Sequence, residues 1–269
     1  MFKKIVFVVG MPRSGTSWLG QILDSSPQVR YRLSPLFSYA FKNAVDEQSS
    51  KAEYERMFHD AFESEDAFMS RAEERIAGHY PVFEHKCEDP EYLVIKMTRF
   101  HNLLEHMLEM FDNLSMLSIV RHPCGAIHSW LTTPREFPIW ADSAKEWRTG
   151  ACRKTGPEEY WGFEDWKAVT RLHMRLELQY SDRFTIVQYE ALVEDPLSAT
   201  KKVFHRLGLE YTDQTERFVR NSHRRHDSDP YAVFKDPRVR NRWKAEMDKA
   251  MQQEIVTEIM DSELARFLV

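Results

Sequence analysis

Four short apolar runs punctuate the chain, at residues 5–9, 92–95, 116–120 and 184–187. Each is too short for a helical core and ends in polar or turn-forming residues, so each predicts a buried β-strand. Between them the apolar spacing becomes helical. Trp18, Leu19, Ile22 and Leu23 share one face of a helix over 16–23, which Asp24-Ser25-Ser26-Pro27 stops. Residues 35–77 read as charged helix without strand character. Further helices are predicted over 102–110, around Ile127, Trp130 and Leu131 behind Pro123, over 163–180, over 196–207 before Gly208, and over 243–268.

Strands separated by helices predict an α/β fold: a central parallel sheet flanked by helices on both faces. No repeat, low-complexity tract or linker interrupts the pattern, so residues 1–269 are expected to form one domain. Ligands of such sheets bind outside the carboxyl ends of the strands. The segments that follow 5–9, 116–120 and 184–187 should therefore converge on one site.

Composition narrows the classes. Hydrophobic residues make up 42% and charged residues 29%, ordinary for a globular protein, and the net charge of −5 argues against a general nucleic-acid binder. Charge is unevenly spread. Residues 46–74 hold ten acids and three bases, whereas 217–244 hold nine bases and three acids. The first is a solvated helical face; the second is either another solvated surface or counter-charge for a polyanionic small molecule. Cys87, Cys124 and Cys152 lack metal-ligand spacing, and the odd count fits a reducing compartment. The apolar run after Lys3-Lys4 is too short for a secretion signal, and none approaches the ~20 residues of a membrane helix. A soluble, cytoplasmic protein is expected.

The chemistry starts at Gly10-Met11-Pro12-Arg13-Ser14-Gly15-Thr16-Ser17-Trp18. A strand, a glycine-bounded loop and a helix in that order build a phosphate cradle, because helix N–H groups point at the anion and glycine lets it approach. A bare turn capped by Thr16 and Ser17 has no use for the cation Arg13. Gly10 and Gly15 have the spacing of a nucleotide triphosphatase loop, but Thr16 stands where such a loop carries lysine. A second constellation is Arg121, at the end of the third run, with Ser129 eight residues on. An arginine fork there can grip a phosphate bidentately, and a serine two helical turns along can join it.

Together these segments resemble the sulfotransferases that use 3′-phosphoadenosine-5′-phosphosulfate (PAPS). The stretch from Arg13 to Trp18 looks like the family's 5′-phosphosulfate loop, and Arg121 with Ser129 like its 3′-phosphate motif. Tyr189, in Gln-Tyr-Glu-Ala-Leu-Val, is similar to the tyrosine beside the adenine, and Arg242-Trp243-Lys244 to the end of the late cofactor loop. The resemblance implies a P-loop-like fold and PAPS as donor, 3′,5′-bisphosphoadenosine (PAP) as product, and no metal. It implies that the backbone of Arg13, Ser14, Gly15, Thr16, Ser17 and Trp18 holds the 5′-phosphosulfate. Arg13 then bridges to the transferring group, Arg121 and Ser129 hold the 3′-phosphate, and Tyr189 lies by the adenine. Lys235, Arg238 and Arg240 are all available to close the late loop over the 3′-phosphate, with Arg238 favoured.

The acceptor end departs from the family. Lys96 matches the lysine of the Lys-Thr-His segment, but the nearest histidine is His101. His101, Glu84 and His85 are the candidates for the general base. Residues 35–80 and the tryptophans of 130–166 are expected around the acceptor, a small molecule or saccharide hydroxyl. The loop sequence looks closer to bacterial and carbohydrate-type members than to the cytosolic phenol enzymes. Two other classes stay open: a kinase or triphosphatase with a degenerate loop, and a nucleotide-binding module without catalysis.

Overall fold

Strand β1 (Lys4–Val9) forms the middle of a five-stranded, wholly parallel sheet in the computed structural model, which describes residues 2–224, 227, 229, 232–234 and 240–269. The other strands are β2 (Val29–Leu33), β3 (Tyr92–Met97), β4 (Leu114–Val120) and β5 (Phe184–Gln188), in the spatial order β2-β3-β1-β4-β5. Val6 pairs with Val94 on one side and Ser115 on the other. The chain has the α/β architecture that its alternation of runs predicts.

The helices are α1 (Thr16–Asp24), α2 (Lys51–Glu63), α3 (Ala67–Ser70), α4 (Ala72–Ile76), α5 (Leu104–Met110), α6 (Pro123–Leu131) and α7 (Ser143–Glu146). They continue with α8 (Gly162–Gln179), α9 (Tyr189–Glu194), α10 (Pro196–Leu207), α11 (Asp213–Arg224), α12 (Trp243–Glu246) and α13 (Lys249–Ile259). Local chemistry sets their ends. Ser50 and Glu53 close a capping box on α2, Pro123 opens α6, and Gly208 ends α10 in the left-handed conformation at φ 75°.

Alternate residues of β1 serve opposite cores. Val6 and Val8 pack with Leu19 and Ile22 of α1 and Phe204 of α10, while Ile5, Phe7 and Val9 pack with Phe58 of α2 and Leu104 of α5. A third cluster joins Phe163 and Trp166 of α8 to Ile255 of α13. Both faces of β1 are dry, which is why it reads as an unbroken apolar run.

Two expectations are corrected. Strand β2 lies where the apolar pattern predicts no strand, and the stretch 35–77 is not one helical run. It holds a 3₁₀ turn (Pro35–Phe37), irregular chain to about residue 50, and then α2, α3 and α4.

Candidate functional site

The phosphate-type loop leaves β1 at its carboxyl end and is shaped by three positions with positive φ, two of them glycines. Gly10 has φ 153°, and a Cβ there would stand 2.5 Å from the carbonyl oxygen of Ile119. Gly15 has φ 95°, and a Cβ would stand 2.6 Å from the Tyr189 ring. Gly15 is also the N-cap of α1 and supplies no side-chain acceptor, so the first N–H groups of the helix are left for another partner. Arg13 itself adopts φ 69°, a left-handed conformation that costs any non-glycine residue energy and recurs at ligand sites. Ser14 Oγ is buried and has no hydrogen-bond partner.

Arg121 follows β4 directly and ties the two cationic segments together. One of its terminal nitrogens donates to the carbonyl oxygen of Arg13 at 3.0 Å, and its guanidinium lies 4.7 Å over the Tyr189 ring. Its Nε is buried without an acceptor. Arg13 Nε donates to Ser129 Oγ on α6 at 3.3 Å and stands 3.7 Å from Glu136 Oε2. The Tyr80 hydroxyl shares a hydrogen bond with Ser17, and Trp18 Nε1 donates to Ser222 Oγ at 2.9 Å.

Most of these groups open on one cleft of about 900 Å³ at the carboxyl ends of the strands; Gly10, Ser14 and Ser222 do not line it. Its wall includes Arg13, Gly15, Thr16, Ser17, Trp18, Lys96, Arg121, Ser129, Tyr189 and Arg242. Three of the four segments come from different strand ends, which is the convergence that the parallel topology requires. Phe37, Tyr160 and Trp161 line the same cleft, but Trp130, Trp147 and Trp166 are core residues and Trp140 is exposed. Desolvation lowers the Lys96 ammonium to about 8; the Glu136 carboxylate opposes that shift, while Arg71, Arg99 and Arg13 reinforce it.

The three residues considered as bases stand elsewhere. His101 is 1% exposed and does not line the cleft. Its Nδ1 meets His173 Nε2 at 3.2 Å, and His173 Nδ1 meets Ser118 Oγ at 2.7 Å, a buried polar chain that joins β4 to α8. Burial depresses His101 to about 3, so it is uncharged near neutrality. Glu84 and His85 are exposed, outside the cleft wall. The acids and imidazoles that do line it, among the described residues Glu74, Glu136, Asp227, Asp229, His79 and His128, were not singled out from sequence.

In the late loop, Lys235 and Arg238 lie outside the described residues, and Arg240 is not on the cleft wall. Trp243 stacks on His122 at 4.3 Å. His122 Nδ1 accepts from the Cys124 N–H at 3.2 Å and so caps α6, the job an aspartate would do there. Burial, with Lys244 and Arg121 nearby, lowers it to about 4, leaving the acceptor nitrogen unprotonated at neutral pH. Among the described residues, no three or more His, Cys, Asp or Glu gather as metal ligands would, and no helix is long and apolar enough to cross a membrane.

A strand–loop–helix cradle with a second cation at a neighbouring strand end places this chain among the α/β proteins whose strand ends converge on one cleft. The sequence profile described as "Sulfotransferase family" matches residues 6–213, and the chain belongs to that family. It is a sulfotransferase, which sets aside the triphosphatase and non-catalytic readings. A Caenorhabditis briggsae protein named "Putative protein-tyrosine sulfotransferase" is 23% identical over 218 residues, covering 79% of this chain and 68% of that one. The fold is shared with a mouse sulfotransferase solved with PAP (TM-score 0.57, 18% identity, 100% of this chain and 89% of that one). It is also shared with a sulfotransferase of Alicyclobacillus acidocaldarius (TM-score 0.55, 13% identity, 99% and 95%).

Proposed function

We propose that this sulfotransferase takes its sulfuryl group from PAPS and passes it to a hydroxyl of a saccharide or other natural-product alcohol, in the manner of bacterial and carbohydrate-type members. The observation that carries the reading is the pairing of Arg13 and Arg121 on one cleft, with the Arg121 guanidinium hydrogen-bonded to the Arg13 carbonyl. The residues fit a doubly phosphorylated nucleotide. Arg121, on the cleft wall, has a buried Nε without a partner, and Gly15 at the N-cap of α1 leaves the first helix N–H groups without a side-chain partner. The mouse neighbour's complex with PAP supports the same ligand class.

PAPS supplies an activated sulfuryl group. In this reading the N–H groups at the start of α1, with Thr16 and Ser17, bind the 5′-phosphosulfate, and Arg121 with Ser129 binds the 3′-phosphate. Tyr189, which also props Arg121, faces the adenine. Arg13 orients the reacting end and stabilises the negative charge that grows on the leaving oxygen, assisted by Lys96. Arg238, in the role the resemblance gives it, closes over the 3′-phosphate. Phe37, Tyr160 and Trp161 offer flat apolar faces to the acceptor. We place the enzyme in the cytoplasm, where its three unpaired cysteines would stay reduced.

The test has two arms. PAP should raise the melting temperature without magnesium, and ATP at equal concentration should do so much less. Radiolabelled sulfate should then pass from PAPS to a panel of para-nitrophenol, glucosamine and cyclohexanol. Equal stabilisation by both nucleotides, with no transfer from PAPS, would refute the donor.

A further inference from the structure

The reaction needs a group to take the proton of the acceptor hydroxyl, and none of His101, Glu84 or His85 reaches the cleft. We propose that Glu136 is that base, an assignment that rests on the PAPS reading above. Glu136 lies just beyond α6, in a turn held at both ends. Its N–H donates to the Thr133 carbonyl at 3.0 Å, and its own carbonyl accepts from Trp130 Nε1 at 3.3 Å. Trp130 is core, so the turn is anchored to the protein interior.

The carboxylate faces the cleft rather than bulk water, with the side chain 15% exposed. Oε2 is buried, has no hydrogen-bond partner, and lies 3.7 Å from Arg13 Nε. Lys96 stands close enough that Glu136 is the strongest counter-charge acting on it. A carboxylate oxygen therefore lies among the two cations assigned to the sulfuryl group, with its hydrogen-bonding capacity unused. An acceptor hydroxyl approaching the sulfur is the donor it lacks. Of the other acids on the cleft, Glu74 pairs with Arg71 and Asp227 with His79 at 2.9 Å.

In the step, the acceptor oxygen forms a bond to sulfur as the bond from sulfur to the 5′-phosphate oxygen breaks. The bonding pair leaves on that phosphate oxygen, beside Arg13. The hydroxyl proton passes to Glu136 Oε2, which later returns it to water. The products are a sulfate ester and PAP, with no oxidant, reductant or metal needed to balance the step.

The test is Glu136→Gln, assayed by transfer from PAPS to whichever acceptors of the panel score, with sulfate release to water as the fallback. Binding of PAP is measured separately by calorimetry. Loss of a general base should lower turnover roughly 10²- to 10⁴-fold. PAP should bind no more weakly, because removing a negative charge beside Arg13 cannot repel a phosphate. Cyclohexanol, which keeps its proton until attack, should suffer far more than para-nitrophenol, which is largely ionised above neutral pH. Glu136→Ala should regain part of its turnover with added formate. Near wild-type turnover of Glu136→Gln overturns the assignment, as does unrescued Glu136→Ala that still binds PAP. If wild-type protein binds no PAP, the donor reading fails instead.

Discussion

Replacing Arg121 by alanine separates the two proposed phosphate sites. One terminal nitrogen of Arg121 is occupied by the Arg13 carbonyl, whereas Nε is buried and unpartnered. Nε and the remaining amino group are thus available to a 3′-phosphate as a two-pronged donor. Hydrogen bonds to charged groups contribute about 1.5–3 kcal/mol each, so the lower end for two gives about 3 kcal/mol. That is a loss of roughly 10²-fold in PAP affinity. Adenosine 5′-monophosphate, which has no 3′-phosphate, feels only the loosened Arg13 carbonyl, about 1 kcal/mol or roughly fivefold. Calorimetry on both ligands with both proteins gives the comparison directly. The preference for PAP should collapse in the variant. An equal loss for the two nucleotides would show that Arg121 does not read the 3′-phosphate, and the orientation proposed for the nucleotide would be wrong.

Other perturbations probe the loop and the transferring end. Gly15→Ala must hold alanine at φ 95° against the Tyr189 ring, costing at least about 1–2 kcal/mol from the backbone alone. A lower melting temperature and no stabilisation by PAP are expected; unchanged PAP binding would refute the close approach there. Arg13→Ala should cost far more in turnover than in PAP affinity, since its charge matters most as the bond breaks, and the reverse would exchange the roles of the two arginines. Lys96, protonated below about pH 8, should give turnover that falls as pH rises through that value. Bound phosphates favour the ammonium, so the fall in kcat should lie at higher pH than that in kcat/KM. A rate that climbs through the same range would make neutral Lys96 the active form. For stability the sign is opposite. Between about 8 and the ordinary 10.5 the unfolded chain keeps a proton that the folded chain has lost, so this residue's contribution to stability increases with pH there. Denaturation midpoints of wild type and Lys96→Met across that window read it out.

Much of the fold is written in local pattern, and so is one end of the site. Strands β1, β3 and β4 are legible as apolar runs because the sheet buries both of their faces, and β5, an edge strand half-buried beyond Phe184, from its short run Phe184-Thr185-Ile186-Val187. Strand β2 escaped because it alternates, Val29-Arg30-Tyr31-Arg32-Leu33, and breaks the apolar run with arginines. Arg32 is nevertheless buried, with its guanidinium donating to the carbonyls of Ala61 and Phe62 at 2.6 and 2.7 Å. The edge position of β2 lets its arginines reach α2 rather than another strand. The phosphate loop and the Arg121–Ser129 pair are legible because each is contiguous or nearly so. Glu136 was not, since only the tertiary fold brings it from beyond α6 to the loop after β1, 123 residues away in sequence. His101 illustrates the converse. Its place after the Lys96 strand suggested chemistry, but the chain turns it inward to His173.

The central claim is that one cleft grips the two ends of a single doubly phosphorylated adenosine. A crystal structure with PAP tests it most directly. The account predicts the 5′-phosphate on the N–H groups at the start of α1 beside Arg13, and the 3′-phosphate within hydrogen-bond reach of Arg121 and Ser129. Nucleotide bound with those ends exchanged, or lying outside the cleft, would contradict it.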